Sequence, residues 1–431
     1  MIAKELYPRT FLYLAYNKDI RAEAQESFGD NVFCMTYHAL ARRAMQIDKT
    51  KYKDKLKNGL KKSELLKILK LNEQSYANQY KILTVIQKTI SNFKNSRDDS
   101  IHEEHLDTDG IMEVTSIPLE QQKLAYFILK KVKKMWDMET DESSDFPMDH
   151  DTYLKMWHLS DPKIEVDFIL FDEAQDANPV VLDIVNMQNC RKIFVGDKHQ
   201  KIYSWRGAVN AMEEIQAHEL SLTKSFRFGE NIANLANQIL FKKGETRKII
   251  GFEKLSSSLG KVDENKKYTF ICRTNAGIIL QAILQAKQKR KIHILGGVGD
   301  IFDRALSAYL LFSERKNEIP LREFAQFNSW NDFVSISRFA PENSVLVKLV
   351  QKFGHELPEL IEIFKHALVA DAQAEVFFCT AHKSKGLQWD QVKIGSDFSF
   401  KSEEEQNLLY VACTRAKVRL DLLDCSIDII N

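Results

Sequence analysis

The chain has 431 residues, more than one hydrophobic core usually organises, so we expect two or more domains. Hydrophobic residues make up 44% of the chain and charged residues 28%, which is typical of folded globular proteins and excludes wholesale disorder. Lys plus Arg total 61 against 60 for Asp plus Glu, so a site for a polyanion must come from local clustering of charge.

The cysteines and the hydrophobic segments indicate a cytoplasmic protein, associated with the nucleoid if the source is bacterial. The six cysteines are scattered, without a CxxC pair or a His/Cys cluster at metal-ligand spacing, and we interpret them as reduced thiols. No run of eighteen apolar residues occurs, and MIAKELYPRT lacks the apolar core of a signal peptide. We therefore expect no membrane partner.

Short apolar runs rich in β-branched and aromatic residues predict the strands. They are FLYLAY (11–16), VDFILFD (166–172), KIFVGD (192–197), YTFICR (268–273), EVFFCT (375–380), VKIG (392–395) and VRLDLL (418–423). Several lead straight into helix-like segments, which favours buried parallel strands joined by crossover helices. The pattern occurs twice, and it predicts an α/β fold with two parallel sheets.

Two helix-like segments interrupt these strand groups and predict the domain organisation. The first α/β domain would comprise 1–45 and 163–222, around a helical insertion at 46–162. The second would comprise 223–300 and 370–431, around a smaller helical insertion at 301–369.

Charged stretches within the first insertion have more than one interpretation. The segment 49–70 holds nine lysines against Asp54 and Glu64, so it is either a track for a phosphate backbone or a solvated helix face. The acidic stretches SRDDSIHEEHLDTD (96–109) and METDESSDFPMDHD (138–151) are expected to be solvated loops.

The segment ILFDEAQDANPVVLDIV (169–185) is the most informative in the chain. Its apolar strand ends in Asp172 and Glu173, and open α/β sheets bind ligands at the carboxyl ends of their strands. One carboxylate can hold Mg²⁺, usually through water, and the other can accept a proton from an attacking water. An isolated Asp-Glu pair is more often the charged start of a helix, so the segment that follows decides the interpretation.

That next segment, KIFVGDKHQKIYSWRGA (192–208), lies at the distance expected of a neighbouring strand. DEAQD followed by VGDxxQxIYxxRGA resembles motifs II and III of superfamily 1 helicases of the UvrD/Rep class. Within that class, VGDKHQKIYSWRGAVNAM and SFRFGENIANLANQIL (225–240) most resemble F-box DNA helicases, although the chain has no F-box. Matches of this length are very specific.

The resemblance implies two RecA-like, P-loop NTPase-type motor domains that use ATP and Mg²⁺ to move 3′ to 5′ on single-stranded DNA. Asp172 would bind the Mg²⁺, and Gln200 would sense the γ-phosphate and couple it to DNA. Tyr203, Trp205 and Arg206 would line the strand-binding groove. An aromatic such as Trp205 suits a motor that ignores sequence, because stacking on any base contributes about 1–3 kcal/mol.

SFRFG matches motif IV of the family. By that resemblance, Arg227 would contact the γ-phosphate from the second motor domain, and Phe226 would stack on adenine. Arginine suits this role because its planar fork binds phosphate oxygens bidentately and stays charged. YTFICRTN (268–275) then resembles motif IVa, and KIHILGGVGD (291–300) also resembles the family.

VFFCTAHKSKGLQWDQVKI (376–394) is similar to motif V, THxxKGLE. The residues that would contact the DNA backbone, or lie where the chain turns past phosphates, are Thr380, His382, Lys383, Lys385 and Gly386. The family usually has Glu after GL, where it contacts the ribose, and this chain has Gln388. Gln can still hydrogen-bond a hydroxyl, but without the strength that a charge adds.

EEEQNLLYVACTRAKVRL (403–420) resembles motif VI, in which Arg415 would be the arginine finger. Such fingers stabilise charge on the transferred phosphoryl group and contribute about 10³ to 10⁵ in rate. The resemblance implies that Asp172, Glu173, Gln200, Arg227 and Arg415 act on one bound nucleotide.

Near the start of the chain, FLYLAYNKDIRAEAQESF (11–28) and CMTYHALARRA (34–44) resemble motifs Ia and Ib. The residues that would face single-stranded DNA are Asn17, Lys18, Thr36, Tyr37 and His38. A lone His38 would be more typical of a buried, satisfied histidine, and its neighbours favour the DNA role instead.

The 431 residues hold no P-loop, GxxxxGK[ST], the segment whose backbone N–H groups and Lys hold the β- and γ-phosphates. SSLGKV (257–262) comes nearest to the end of this motif. The eight motif positions would be 255–262, with Leu255 in place of the first Gly and Val262 in place of Ser or Thr. The family's loop comes just before motif Ia, so we expect the chain to start just downstream of it, without the first strand. A late start site, gene decay or a lineage that lost turnover would explain this, and we expect negligible ATP hydrolysis by this polypeptide alone.

Three functions are compatible with the sequence. The first is an ATP-dependent DNA helicase or translocase in repair, recombination or replication, with single-stranded DNA, DNA junctions and DNA-repair proteins as partners. The second is a catalytically inactive protein that binds single-stranded DNA or other proteins. The third is half of a split helicase, completed by a separate P-loop polypeptide.

Overall fold

The computed structural model describes residues 2–56, 60, 62–71, 76–203, 211–337 and 341–422. The chain divides into two compact units, Met1–Gln216 and Ala217–Asn431. Each unit contains a β-sheet whose described strands all run parallel, which confirms the predicted α/β fold class. The finer domain boundaries given above stay predictions.

The first unit has a four-stranded sheet with the order β2-β1-β3-β4. Its strands are β1 (Phe11–Ala15), β2 (Val32–Thr36), β3 (Phe168–Phe171) and β4 (Arg191–Phe194). Phe11 lies opposite both Val32 and Phe168, and Phe168 lies opposite Arg191, so the four strands start level. Because all four are parallel, their carboxyl ends meet at one edge.

Helix α1 (Ile2–Glu5) precedes β1, and short helices follow the strands of this sheet. They are α2 (Lys18–Ser27) and α3 (Tyr37–Ala44), and, later in the chain, α10 (Pro179–Asn186) and α11 (Ala211–Glu214). The buried core under the sheet joins Leu14 of β1 and Phe171 of β3 to apolar residues of α10 such as Val181. Burial of such side chains contributes about 1.5–3 kcal/mol each.

After α3, the described residues form six helices of an insertion between β2 and β3. They are α4 (Tyr52–Lys55), α5 (Lys62–Ile68), α6 (Tyr76–Asn95), α7 (Thr108–Val114), α8 (Pro118–Thr140) and α9 (His150–Leu159). The insertion has its own hydrophobic core, in which Phe93 of α6 packs with Val132 of α8 and edge-on against Trp136. This helical character agrees with the periodicity of the sequence.

The prediction that the acidic stretches are solvated loops is wrong at several positions. Glu139 is 3% exposed and forms an ion pair of 2.6 Å with Lys94, which is 2% exposed. His105 and Asp107 are also buried. Helices α6, α8 and α9 pack together here, and a buried charge is tolerated because an opposite charge from another helix neutralises it.

The Lys-rich segment is not uniformly solvated either. Lys55 is buried, and its ammonium donates to the carbonyl oxygens of Met138 at 2.8 Å and Asp141 at 2.5 Å. Burial lowers the pKa of Lys55. Lys55 is therefore neither part of a track for a phosphate backbone nor part of a solvated helix face. It fixes α4 to the end of α8.

The second unit has a six-stranded sheet with the order β5-β10-β9-β6-β8-β7. Its strands are β5 (Ser258–Leu259), β6 (Tyr268–Cys272), β7 (Ile292–Ile294), β8 (Val376–Thr380), β9 (Trp389–Ile394) and β10 (Ala416–Asp421). Every residue of β6 and of β8 is buried, as expected for strands covered on both faces.

Helices flank this sheet and form a second insertion between β7 and β8. The insertion contains α14 (Ile301–Phe312), α15 (Arg322–Ala325), α16 (Trp330–Ser337), α17 (Pro341–Phe353) and α18 (Leu357–Ala367). The other helices are α12 (Glu230–Lys242), α13 (Asn275–Lys287), α19 (Ala381–Ser384) and α20 (Glu403–Cys413). Thr274 caps α13 by accepting a hydrogen bond from the Gly277 amide, so the helix starts directly after β6.

The five described cysteines are free thiols, and Cys425 lies outside the described residues. Burial raises the pKa of the Cys379 thiol, which keeps it protonated and unreactive. Within the described ranges, every helix is too short or too polar to cross a membrane.

Candidate functional site

Two carboxylates follow β3 directly in the first unit. Asp172 accepts a hydrogen bond from the Tyr13 hydroxyl on the neighbouring strand β1, and its other oxygen accepts from the Glu173 amide at 2.9 Å. Burial, together with the hydrogen bond and charge of Asp172, raises the pKa of Tyr13. The phenol therefore stays protonated and acts as a fixed donor that orients the Asp172 carboxylate.

A chain of hydrogen bonds connects these carboxylates to the end of β4. Glu173 accepts from the Gln175 amide group at 2.5 Å, and the fully buried Gln175 in turn accepts from the Asp197 backbone N–H at 3.1 Å. Asp197 accepts from the Gln200 side chain at 2.8 Å. The structure therefore brings Asp172, Glu173 and Gln200 together at the carboxyl edge of the first sheet.

Glu173 has a left-handed backbone, with φ of 52°. Non-glycine residues adopt this conformation rarely, at a cost of about 1–2 kcal/mol, and it persists where the surroundings hold it. Here the left-handed residue lies between the end of β3 and the short turn 174–176 that follows it. The sequence motif predicted the two residues but not this turn.

The predicted DNA-binding residues of the first unit lie at the same edge. Asn17 follows β1 and caps α2 by accepting from the Ile20 amide at 2.9 Å, while Thr36 ends β2 and caps α3 by accepting from the Ala39 amide at 3.2 Å. Lys18 is exposed beside the first cap. Each cap fixes the point at which the chain leaves the sheet.

Aromatic side chains surround these caps. The Tyr37 ring lies 4.6 Å from the ring of His38, whose Nε2 is 3.0 Å from an Asp151 carboxylate oxygen. The His38 side chain is 31% exposed, so it is neither a buried core histidine nor fully solvated. Tyr203 stacks on Tyr16 with ring centroids 5.3 Å apart. The predicted groove residues Trp205 and Arg206 lie outside the described residues.

Three predicted nucleotide-binding residues of the second unit also lie together. The Arg227 guanidinium donates to the Gln388 side chain at 3.2 Å and to the Thr414 carbonyl at 3.3 Å. Arg415 is next in the chain, and its guanidinium donates to the Thr414 hydroxyl at 3.1 Å and the Val411 carbonyl at 2.9 Å. Thr414 thus connects the two arginines.

The two arginines differ in exposure. Arg415 is 1% exposed and lies within the second unit, whereas Arg227 is partly exposed. Phe226 is 69% exposed; its ring centroid lies 5.3 Å from that of Phe252, at a steep angle, and 5.7 Å from the Lys224 ammonium. An aromatic ring with a solvated face can stack on a planar base.

The candidate residues of the second unit lie at opposite ends of the strands of its sheet. Gln388 directly precedes β9 and Arg415 directly precedes β10, so both lie at the amino ends of strands. Thr380 instead ends β8 and caps α19 by accepting from the Lys383 amide at 3.3 Å. In this unit, the predicted nucleotide-binding residues Gln388 and Arg415 therefore lie at the amino ends of strands, whereas the predicted DNA-binding residue Thr380 lies at a carboxyl end.

A glycine-rich turn after β7 positions one of the predicted DNA contacts. The exposed Lys383 donates from its ammonium to the Leu295 carbonyl at 2.9 Å. Gly296 comes next, with φ of 83°, and a Cβ there would lie 2.6 Å from the Lys383 Nζ. The sequence GGVGD resembles the family but carries no local signal for this contact, which joins residues 88 positions apart.

The remaining motif V residues lie close by in the chain. His382 is partly buried on α19, Lys385 is the C-cap of that short helix, and Gly386 has φ of 82°. An αL residue just past a helix end is the usual place for glycine. The chain turns there toward Gln388 and β9.

The residues present suit a magnesium ion and a nucleotide. Asp172 and Glu173 offer carboxylate oxygens, the ligands that Mg²⁺ prefers, at the strand ends where α/β folds bind ligands. Arg227 and the exposed Phe226 ring offer a phosphate partner and a base-stacking surface. Two parallel-sheet units with these groups are typical of α/β proteins that bind nucleotides.

Comparison with known proteins identifies the family. Residues 12–218 match the UvrD/REP helicase N-terminal domain and residues 375–423 match the UvrD-like helicase C-terminal domain. The chain belongs to the UvrD/Rep helicase family. This confirms the resemblance inferred from the motifs.

Individual relatives agree with this assignment. The chain is 31% identical to F-box DNA helicase 1 of Gallus gallus, over 96% of this chain and 45% of the relative. It is 32% identical to F-box DNA helicase protein 1 of Schizosaccharomyces pombe, over 96% of this chain and 52% of the relative. A probable DNA helicase II homolog of Mycoplasma genitalium is 30% identical over 39% of this chain and 26% of the relative. The chain spans about half the length of the F-box helicases that it matches.

Proposed function

We propose that this chain acts in an ATP-dependent DNA helicase or translocase that moves 3′ to 5′ on single-stranded DNA, in repair, recombination or replication. The observation that carries the proposal is the chain of hydrogen bonds that connects Asp172 and Glu173 to Gln200, through Gln175 and Asp197, at the carboxyl edge of the first sheet. Membership of the UvrD/Rep family and the helicase names of the relatives support it.

In this proposal, the cluster divides the catalytic work between its members. Asp172 holds Mg²⁺, which supplies positive charge to the phosphates when bound. Glu173 accepts the proton of the attacking water, and Gln200 senses the γ-phosphate. Tyr13 keeps the Asp172 carboxylate oriented through its hydroxyl.

The second unit supplies cations and a stacking surface. Arg227 and Arg415 stabilise the negative charge that develops on the phosphates, which for the buried Arg415 requires its guanidinium to become exposed when nucleotide binds. Phe226 stacks on adenine, and Gln388 bonds the ribose beside Gly386. Gln388 already holds the Arg227 guanidinium, so the same amide serves both partners. The neutral amide makes that ribose contact weaker than a carboxylate would.

Single-stranded DNA is the proposed track. Its contacts in the first unit are Asn17, Lys18, Thr36, Tyr37, His38, Tyr203, Trp205 and Arg206, and in the second Thr380, His382 and Lys383. Exposed lysines bind phosphates of any sequence, and aromatic rings stack on any base, as a translocating protein requires.

A specific observation favours a second candidate, a protein that binds single-stranded DNA without ATP turnover. The 431 residues hold no GxxxxGK[ST] segment, and the donors of that loop hold the β- and γ-phosphates in this class of NTPase. A separate P-loop polypeptide that completes the enzyme would reconcile the two candidates.

ATP hydrolysis by this 431-residue polypeptide alone is expected to stay at background, with or without single-stranded DNA, because the phosphate-holding donors are not among its residues. Phosphate release should be compared for the wild type, Glu173→Gln and Arg415→Ala. DNA-stimulated release that both substitutions abolish would favour the enzyme over the second candidate. Release that survives both would contradict the roles given to these residues.

Gly296→Ala is expected to weaken single-strand binding about three- to tenfold and to reduce the salt slope, d log K/d log[salt], by about 0.7. The added Cβ would displace the Lys383 ammonium from its position by the Leu295 carbonyl, and one phosphate contact would be lost. Fluorescence anisotropy of a labelled strand at several salt concentrations measures both quantities.

Gly297→Ala is the matched control for this substitution. Gly297 has φ of 71°, so alanine there carries a similar backbone cost, but a Cβ would meet no atom within 4 Å. It should leave the affinity near that of the wild type. Equal losses for the two alanine variants would show that backbone strain, rather than Lys383, controls binding.

A further inference from the structure

Three potential metal ligands cluster in the segment between α6 and α7, and none of them is among the residues assigned to the candidate site. Asp98 lies 3.0 Å from the Nε2 of His105 and 3.5 Å from the Nε2 of His102, through the same carboxylate oxygen. The three ligand atoms all lie within 4.8 Å of one another. A short turn, 103–105, brings the two histidines onto one side of the segment, with ring centroids 4.2 Å apart.

One of these ligands is already held in place. His105 is 3% exposed, and its ring packs edge-on against Phe93 of α6 at 5.3 Å. The side chain of Asn92 donates to the His105 carbonyl at 2.9 Å, which ties the turn to the same helix. A cation would therefore meet a fixed imidazole, and little ordering of that side chain would oppose binding.

The surroundings of His105 suit both a free and a metal-bound imidazole. Its Nδ1 lies 3.1 Å from the His102 backbone N–H, from which it can accept, and 3.2 Å from the His102 carbonyl, to which it can donate. Metal-ligating histidines usually donate their second ring N–H to a carbonyl or carboxylate. Donation to the His102 carbonyl would leave the Nε2 lone pair directed toward Asp98.

The other two ligands leave the site accessible. The side chains of Asp98 and His102 are 44% and 39% exposed, so a cation can enter from solvent and keep water in its remaining positions. The Ser96 hydroxyl, 3.0 Å from the same Nε2, also donates to the Phe93 carbonyl at 2.9 Å and keeps that partner if Nε2 binds a metal.

We propose that Asp98, His102 and His105 bind a divalent transition-metal cation, with Zn²⁺ the best fit. Two imidazole nitrogens and one carboxylate oxygen are a ligand set that Zn²⁺, Co²⁺ and Ni²⁺ prefer, whereas Mg²⁺ and Ca²⁺ prefer oxygen alone. The cation clips the 96–109 segment to α6 and stabilises the helical insertion.

Isothermal titration of the untagged, chelator-treated protein with Zn²⁺ tests this proposal. One equivalent is expected to bind, and Asp98→Asn and His102→Ala should each weaken binding at least about tenfold. Both positions are half-exposed, so these variants should fold, which far-UV circular dichroism verifies. His218→Ala, an exposed histidine of the second unit, serves as the matched control and should bind as the wild type does.

Co²⁺ provides a second readout, because its visible absorption reports its ligands. The wild type should give a spectrum with nitrogen and oxygen ligation that His102→Ala loses. Zn²⁺ at about 100 times its Kd should raise the unfolding temperature of the wild type by about 5 °C but not that of His102→Ala. No binding by the wild type, or equal binding by the wild type and His102→Ala, would overturn the proposal.

Discussion

Lys94→Met is expected to lower the free energy of unfolding of the first unit by about 3–5 kcal/mol. The Lys94 ammonium is almost fully buried and lies 2.6 Å from a Glu139 oxygen and 2.8 Å from an Asp149 oxygen. Burial alone would lower the pKa of Lys94, but the charges of Glu139 and Asp149 outweigh it and raise the pKa. Methionine would leave the buried Glu139 carboxylate without its cation. Urea unfolding followed by circular dichroism measures the loss.

Two further variants show whether this loss comes from the unpaired carboxylate. Lys134→Met removes an exposed lysine from α8 and should change the free energy of unfolding by less than about 0.5 kcal/mol. The double variant Lys94→Met/Glu139→Leu should recover much of the loss, because it also removes the buried charge. A Lys94→Met protein as stable as the wild type would contradict the account of this insertion.

Asp397→Ala is expected to lower the free energy of unfolding of the second unit by about 4–5 kcal/mol. One oxygen of Asp397 accepts from the Arg273 amide at 2.9 Å, and the other accepts from the Thr274 amide at 2.9 Å and the Thr274 hydroxyl at 2.8 Å. Hydrogen bonds to a charged group contribute about 1.5–3 kcal/mol each, and Asp397 is half-buried, so the lower end applies. These bonds hold the turn after β6, within the segment that resembles motif IVa.

Asp397→Asn and Asp371→Ala are the controls for this prediction. Asparagine keeps one acceptor oxygen and should lose less than half as much stability as alanine. Asp371 pairs with Lys267 at the surface, where both side chains are about half exposed, so its replacement should cost no more than about 1 kcal/mol. Chemical denaturation compares the three variants. If Asp397→Ala loses no more than Asp371→Ala, the carboxylate does not hold this turn.

The sequence predicted the strands that lie inside the sheets better than those at the edges. All seven predicted strands overlap observed ones. Six of them have a neighbouring strand on both sides, and the seventh, β4, lies at the edge of its sheet. The three strands that were missed, β2, β5 and β7, are all edge strands. Two of the missed strands, β5 and β7, have only two and three residues, too few to form an apolar run. β2 is as long as β1 and begins with the apolar run VFCM, but Phe33 within it is 50% exposed, as is common in edge strands.

Charges were harder to place than strands. An acidic stretch in a loop-like context is most often solvated, and nothing local in METDESSDFPMDHD distinguishes Glu139 from its neighbours. Its burial depends on Lys94, which lies in another helix. Pairing between helices is a property of the packed insertion, and short-range sequence patterns do not contain it.

The candidate site was predicted residue by residue from motifs, but its arrangement was not. The sequence does indicate that Gln388 and Arg415 precede strands, because the predicted strands VKIG (392–395) and VRLDLL (418–423) follow them in the chain. The burial of Arg415, and the contact between Lys383 and the turn at Gly296, depend on how distant segments pack. The same holds for the chain of hydrogen bonds through Gln175, a residue that the motifs had not singled out.

Titration of the purified protein with fluorescent single-stranded DNA at 50 and 200 mM salt tests the central claim most directly. If about three phosphates are neutralised, the affinity should fall roughly 20-fold between these concentrations, because the salt slope is about −0.7 for each phosphate. Strands of unrelated sequence should bind alike, since exposed lysines and stacking aromatics do not read bases. Binding that is indifferent to salt, or absent at low salt, would contradict the proposal that this chain holds a DNA track.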